Sequence, residues 1–201
     1  MRTAPVGSLD TLLETLDFRR PAVAAHSRRV AVIARQLGVI VALPGDEMTT
    51  LVDAALIHEA GSLVGAADDR AELVGLQTWC GLSEDVDDVL WYAVRRFDHH
   101  RHAPLASRLL AVAHAYDELT EPREYQVPLS HESALMAIAR EAGRRYCPVA
   151  VNALVAARLA RPGDTRVVRE TSWRPDTRAD VDGERLAGAR LGADYRWVTT
   201  S

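Results

Sequence analysis

The stretch that decides the fold is Leu51-Val52-Asp53-Ala54-Ala55-Leu56-Ile57-His58-Glu59-Ala60-Gly61-Ser62. At spacings of i, i+4, i+7 and i+11, one stripe of a helix would carry Leu51, Ala55, His58 and Ser62. Glu59 follows about 100° further round the helix. Gly61 is the expected end, because glycine readily takes the left-handed conformation that closes a helix. The stretch therefore predicts a helix that delivers two metal-capable side chains towards a core. The alternative is a core histidine beside a surface glutamate.

The composition is that of a globular protein. The chain has 201 residues, of which 48% are hydrophobic and 26% are charged, enough for one well-cored domain and an extension. A net charge of -4 argues against general nucleic-acid binding. No apolar run approaches the ~18 residues of a membrane span, and the N-terminus lacks a secretory leader pattern. Cys80 and Cys147 lack zinc or redox-motif spacing, which favours buried free thiols. We therefore expect a cytoplasmic protein without membrane association.

Helical periodicity continues on both sides of the central stretch. The turn 43–46 is predicted to open the central helix with an N-cap. The other helices are predicted at 9–18 behind an N-cap at Ser8, at 22–37 up to Gly38, at 84–97 behind Ser83, at 104–116, at 130–142 up to Gly143, and from Pro148 to just before Arg161. No period-two strand pattern is present, so the fold is predicted to be all-α. The domain should span 1–162, and the polar stretch 163–201 should form an irregular, loosely packed C-terminal arm.

Three histidines fall on apolar faces of three different predicted helices. They are His26, His58 and His114, and Glu59 is adjacent to the second. Histidine and carboxylate ligands from separate helices commonly build a metal site in a helical bundle, so the four residues are candidate ligands for Fe, Mn or Zn. Glu59 is also the candidate catalytic group if the protein is an enzyme. Three unrelated core histidines remain the alternative.

A second group of chemistry-bearing residues follows the helix predicted at 84–97. It contains His99, His100 and Arg101, with His102 next to them. A solvated loop is the simplest interpretation. A second metal position and a contact to phosphate are the two functional alternatives.

Several motifs in this order resemble the HD superfamily of metal-dependent phosphohydrolases, and more narrowly its HD-GYP branch of cyclic di-GMP phosphodiesterases. The resemblance spans about residues 9–160. It is carried by His26-Ser27-Arg28-Arg29-Val30, by 54–62, by 107–120 with Ala113-His114-Ala115-Tyr116-Asp117-Glu118-Leu119, by Pro122-Arg123-Glu124-Tyr125 and by 129–135. The resemblance implies an HD-type bundle of about six to eight helices, with a two- or three-metal centre in intact members.

The departures from the family pattern fall where the chemistry would be. Glu59 takes the place of the family's aspartate, Ser62 that of its phosphate-binding lysine, and His114 that of a second aspartate. The Gly-Tyr-Pro loop is missing, and no histidine lies between Ser62 and Trp79. In the shortened stretch before Pro104 two alignments stay open: the family's paired histidines are lost, or His99 and His100 replace them.

The departures predict a degenerate HD-GYP-like signalling or interaction domain without cyclic di-GMP phosphodiesterase activity. It would retain at most one metal position or a nucleotide site, and a nucleotide or a protein would be its partner. The alternative is a single-metal phosphohydrolase or phosphodiesterase that acts on a nucleotide.

Overall fold

The computed structural model describes residues 7–60, 80–122 and 127–159. Within these ranges the chain forms seven α-helices and no β-strand, which confirms the all-α prediction. The helices are α1 (Leu9–Arg19), α2 (Pro21–Ile40), α3 (Gly45–Ile57), α4 (Asp85–Ala93), α5 (Leu105–Thr120), α6 (His131–Arg140) and α7 (Pro148–Leu159), with a 3₁₀ turn at Phe97–His99.

Helix α2 is the centre of the bundle. It packs most extensively against α3 and α5, and also against α1 and α7. Large aliphatic side chains from these helices are fully buried, among them Leu37, Leu51, Leu109 and Leu154. Burying each such side chain stabilises the fold by roughly 1.5–3 kcal/mol. This core holds α2, α3 and α5 together, and these are the helices that carry the candidate ligands or lead into them.

Two of the predicted N-caps are confirmed. The Ser8 hydroxyl accepts from the Thr11 backbone N–H at 3.2 Å, and the Ser130 hydroxyl accepts from the Ser133 backbone N–H at 3.1 Å. Each cap satisfies one of the backbone donors that a helix leaves open at its first turn. The N-cap predicted within 43–46 is wrong, because α3 begins at Gly45 behind Pro44 without a side-chain cap.

The predicted end of the second helix is also wrong. Gly38 is a buried residue inside α2, which continues to Ile40. A Cβ at this position would lie 2.7 Å from the Met48 Cε and 2.9 Å from its Sδ. Gly38 therefore allows α3 to approach α2 closely instead of closing the helix. The turn after α2 uses Ala42 at a positive φ of 54°.

Helix α4 is shorter than predicted at both ends. The N-cap predicted at Ser83 is wrong, because α4 begins at Asp85 with Glu84 as its N-cap and without a side-chain cap. The Ser83 hydroxyl does accept from the Asp85 backbone N–H at 3.3 Å. The helix ends at Ala93. The chain then turns because the backbone N–H groups of Phe97 and Asp98 donate to the carbonyls of Arg145 and Arg144, at 3.1 and 2.9 Å. Phe97, the last residue of the predicted helix, is held in this long-range contact instead, which no local pattern encodes.

Three smaller boundaries also differ from the prediction. Helix α5 runs on to Thr120, α6 stops at Arg140, and α3 ends at Ile57 with His58 as its C-cap. Gly143 does take a positive φ, of 81°. Gly61, Ser62, the domain boundary at 162 and the arm 163–201 lie outside the described residues.

Cys80 and Cys147 are free and buried, as predicted. No helix in the described ranges has the length and apolarity that crossing a membrane would need.

Candidate metal centre

Three helices bring the predicted ligands together. His26 lies in the first half of α2, His58 and Glu59 directly follow α3, and His114 lies in α5. One ligand atom from each of the four residues lies within 4.8 Å of the others. Among the residues that the structure describes, no other group of histidine, cysteine or acidic side chains meets this condition. We call these four residues the His/Glu cluster.

The ring nitrogens and the carboxylate face a common point. The three imidazole centroids form a nearly regular triangle with sides of 5.1, 5.2 and 5.0 Å. The Glu59 Oε1 caps this triangle, at 4.0, 3.9 and 3.7 Å from the Nε2 atoms of His26, His58 and His114. The two Nε2 atoms of His26 and His58 are 3.2 Å apart. Tetrahedral ligands at ~2.1 Å from an ion lie ~3.4 Å from each other, so the four donors need only small shifts to fit one ion.

The tautomers of His26 and His58 follow from their partners. The His58 Nδ1 lies 2.7 Å from the Ala55 carbonyl oxygen, which can only accept, so Nδ1 carries the proton. The His26 Nδ1 likewise donates to the Asp117 carboxylate at 2.7 Å. A neutral imidazole that donates through Nδ1 presents a lone pair at Nε2. Two such lone pairs at 3.2 Å repel each other unless a proton or a metal ion lies between them.

The third imidazole supports the same conclusion. The His114 Nε2 is buried and has no hydrogen-bond partner among the described residues. Carboxylate oxygens of Glu59 and Glu118 lie 3.7 Å from it, which is beyond hydrogen-bonding distance. Buried polar atoms without a partner are rare in folded proteins. A cation at the centre of the cluster would satisfy this atom together with the other two nitrogens.

Asp117 is the functional residue that the sequence analysis missed. It is 2% exposed, and its Oδ2 accepts from the His26 Nδ1 while the Arg29 guanidinium donates to both of its oxygens, at 2.8 and 2.9 Å. Such carboxylate–histidine pairs orient a metal ligand and raise its basicity. The Arg29 guanidinium thus reaches the same carboxylate that holds His26.

One sequence signal could have found this pair. Arg29 is three residues after His26, and Asp117 is three residues after His114, so each sits one helical turn from a candidate ligand. Opposite charges at the same offset on two packed helices favour an ion pair between the helices. The pairing could not be assigned without knowing that α2 and α5 are neighbours.

The electrostatics of the cluster favour cation binding at neutral pH. Burial lowers the pKa of His58 to about 4, and the neighbouring imidazoles of His114 and His26 add to this effect. The His114 imidazole lowers the pKa of Glu59 against the effect of burial, with help from His58 and His26. For Asp117 burial alone would raise the pKa, but the hydrogen bonds from His26 and Arg29 outweigh it and lower the pKa. At pH 7 the cluster thus offers a neutral His58 and an ionised Glu59.

The cluster is reachable from solvent on one side. The side chains of His26 and His58 are 9% and 11% exposed, whereas those of His114 and Glu59 are 29% and 34% exposed. The donor set of three imidazoles and one carboxylate suits Zn, Fe and other transition metals. The residues present therefore fit a single divalent ion with an opening beside Glu59 and His114.

The second group predicted from the sequence does not form a comparable cluster. His99 is an exposed side chain near Asp98, at 3.8 Å. His100 packs near the ring of Tyr92, at 5.7 Å between centroids, and Arg101 lies over the ring of Phe97 at 5.8 Å. The three predicted residues therefore point to different neighbours.

The comparisons with known proteins support the fold. The sequence matches no known family model and no curated protein. The fold is similar to that of a cyclic GMP-AMP-specific phosphodiesterase of V. cholerae, with a TM-score of 0.53 and 24% sequence identity. The match covers 77% of this chain but 41% of that chain. The helical bundle is therefore one that a phosphodiesterase also uses, and this chain spans less than half of that protein.

Proposed function

We propose that this protein is a degenerate HD-GYP-like signalling or interaction domain that holds one divalent transition-metal ion, Fe, Mn or Zn, in the His/Glu cluster. One observation carries the proposal: three imidazole nitrogens and the Glu59 carboxylate face one point, and two of the imidazoles are locked with their lone pairs inward. The fold shared with a phosphodiesterase supports an HD-type origin. The two free cysteines suit the cytoplasm, where thiols stay reduced.

The donor set supports one ion and not two. An imidazole binds one metal through Nε2, whereas a carboxylate can bridge two ions. The family pattern has an aspartate where this chain has His114, and the sequence has no histidine between Ser62 and Trp79. Within the described residues, the His/Glu cluster is the one group with the required geometry. A binuclear centre of the kind that the family uses on phosphodiesters would keep a carboxylate at Glu59 but would lack a second carboxylate and a further histidine of its ligand set.

The same changes weaken phosphate handling. A bound ion would supply Lewis-acid polarisation of a phosphoryl oxygen. This chain contains no lysine at all and no Gly-Tyr-Pro sequence. Removing one charge-stabilising group from such a site typically costs a few kcal/mol of transition-state stabilisation. We expect hydrolysis of cyclic di-GMP to be absent or at least ~10³-fold slower than in an intact relative.

Metal content tests the first part of the proposal. The full chain, loaded separately with Fe²⁺, Mn²⁺ and Zn²⁺ and then desalted, should retain one equivalent of at least one of these metals. His58→Ala should lose it. His99→Ala is the matched control, because it removes an exposed histidine outside the cluster, and it should still retain one equivalent. Two equivalents in the wild type with one in His99→Ala would instead establish a second metal position.

Turnover tests the second part. The metal-loaded protein would be incubated with cyclic di-GMP, cyclic GMP-AMP and nucleoside monophosphates, beside His58→Ala. The alternative, a single-metal phosphohydrolase, is favoured by the exposed side of the cluster, where Glu59 is 34% exposed and could act as the catalytic base. Turnover of ~1 s⁻¹ that disappears in His58→Ala would establish that alternative and reject the proposal of a degenerate domain.

A further inference from the structure

A cavity outside the His/Glu cluster is lined by cations and aromatic rings. It lies between the end of α4, the 3₁₀ turn, α5 and the segment 145–147, and its volume is about 280 Å³ including its open mouth. The polar and aromatic part of its lining comprises Arg95, Arg96, Arg108, Arg145, Tyr92 and Tyr146. Phe97 and His100 also line it, and no acidic residue does. None of these residues belongs to the His/Glu cluster.

Long-range backbone contacts fix the walls of this cavity. The Phe97 and Asp98 N–H groups donate to the carbonyls of Arg145 and Arg144, which fastens the 3₁₀ turn to the segment before α7. The Arg108 guanidinium donates to the Arg101 carbonyl and to the Cys147 Sγ. Contacts within the fold therefore hold the walls of the cavity in place, and the arginine side chains that line it come from separate segments of the chain.

The aromatic rings hold the guanidinium groups without neutralising them. Arg95 stacks on Trp91, with its Cζ 3.2 Å from the ring centroid, and Arg145 lies over Tyr146 at 5.4 Å. A guanidinium stacked on a ring can still donate its in-plane N–H groups to an anion, although one N–H of Arg95 already donates to the Trp91 carbonyl. Among the described residues, neither Arg95 nor Arg145 forms an ion pair with a carboxylate. Asp98, which lies in the 3₁₀ turn, is already paired with Arg96 at 2.7 Å.

We propose that this basic cavity binds the phosphate group of a small phosphorylated ligand. Guanidinium groups match the geometry of phosphate oxygens and bind them in pairs of parallel hydrogen bonds. Aromatic rings beside them offer an apolar surface to an organic group attached to the phosphate. The space of about 280 Å³ includes open solvent at the mouth of the cavity, so the phosphate group would bind in that mouth and its organic group against the rings beside it. The site does not depend on metal in the His/Glu cluster.

Adjacent arginines provide a matched test. Arg144 and Arg145 are both exposed, and only Arg145 lines the cavity. Metal-free full-length protein would be titrated with inorganic phosphate and with adenosine 5′-monophosphate, by calorimetry at low ionic strength. We expect saturable binding of the monophosphate with a Kd below ~1 mM. Arg145→Gln should weaken it by roughly tenfold, the value of one charged hydrogen bond, and Arg144→Gln by less than about twofold.

The controls separate this site from the alternatives. Arg95→Gln is a second lining variant and should also weaken binding, which guards against a local change specific to residue 145. His99→Ala should bind the monophosphate as the wild type does, because this exposed histidine does not line the cavity. Equal weakening in Arg144→Gln and Arg145→Gln, equal affinity for unphosphorylated adenosine, or no saturation by ~10 mM phosphate and monophosphate would each overturn the proposal.

Discussion

Replacement of Asp117 by asparagine tests the arrangement of the metal centre most directly. The two carboxylate oxygens accept three hydrogen bonds, one from His26 and two from Arg29. Asparagine has the same shape but only one oxygen, and its amide nitrogen is a donor. In either orientation, the amide N–H groups of asparagine would face an N–H group of His26 or of Arg29, so two hydrogen-bond donors would face each other. The variant therefore disturbs the hold on His26 without opening a cavity.

The size of the effect follows from these contacts. Removing a carboxylate that orients a metal-binding histidine typically lowers metal affinity by about 10–100-fold. That range corresponds to about 1.4–2.8 kcal/mol, similar to one hydrogen bond to a charged group. The metal-free Asp117→Asn protein should also lose thermal stability, because part of the Arg29 interaction is removed as well. We expect the metal affinity to fall by 10–100-fold while the helical circular dichroism spectrum at 25 °C is unchanged.

The assay is competition with a chromogenic chelator for Zn²⁺ or Mn²⁺, at a temperature where every variant is folded. Glu121→Gln is the control, because Glu121 approaches the same Arg29 at 3.7 Å and forms no ion pair with His26 within the described part of the chain. It should change affinity by less than about twofold. If Asp117→Asn bound metal as tightly as Glu121→Gln does, the carboxylate would have no positioning role, and the tautomer argument for His26 would fail.

Three other predictions concern stability. The pKa of His58 in the folded protein, about 4, is below its unfolded value of about 6.5, so stability that is present above pH 6.5 should be lost as the pH falls towards 4. At pH 5 the loss for the metal-free protein is about 2 kcal/mol. Urea denaturation should show this loss in the wild type and not in His58→Gln. Gly38→Val should cost roughly 1–3 kcal/mol, because its side chain meets Met48, and a second change, Met48→Ala, should recover part of that loss. Truncation after residue 162 should leave the melting temperature nearly unchanged, because the polar arm lacks the apolar content of a core segment. A drop of many degrees in thermal denaturation would show that the arm contributes to the stability of the domain.

Local patterns in the sequence were sufficient to predict that the helices exist and on which helix faces the candidate ligands lie. The apolar spacing around Leu51 and His58 predicts a helix that ends at the cluster, and the caps at Ser8 and Ser130 follow from one hydroxyl and its neighbours. These features depend on residues within a few positions of each other, which is why a single sequence reveals them.

The features that the sequence did not reveal depend on contacts between distant residues. In the sequence, Gly38 resembles the end of a helix. In the structure, it leaves room for the Met48 side chain to pack against the helix. The backbone of Phe97 bonds to the carbonyl of Arg145 instead of continuing α4. Asp117 becomes a partner of His26 only when α2 and α5 are adjacent, although the two residues are 91 positions apart. In each case the residue type allows several roles, and the fold selects one.

A histidine at position 114, where the HD-GYP pattern that the sequence resembles has an aspartate, changes what the cluster could do by more than the loss of one negative charge. With three imidazoles and Glu59, the ligands carry one negative charge, so a divalent ion would leave the site with a net positive charge. A site of that kind attracts phosphate, but every imidazole has a single lone pair towards the ion and cannot bridge a second one. The cluster thus retains the ligands for one ion and an attraction for anions, while three of its four ligands cannot be shared with a second ion. If the protein is the degenerate HD-type domain proposed above, one ion should be retained while phosphodiester hydrolysis is lost.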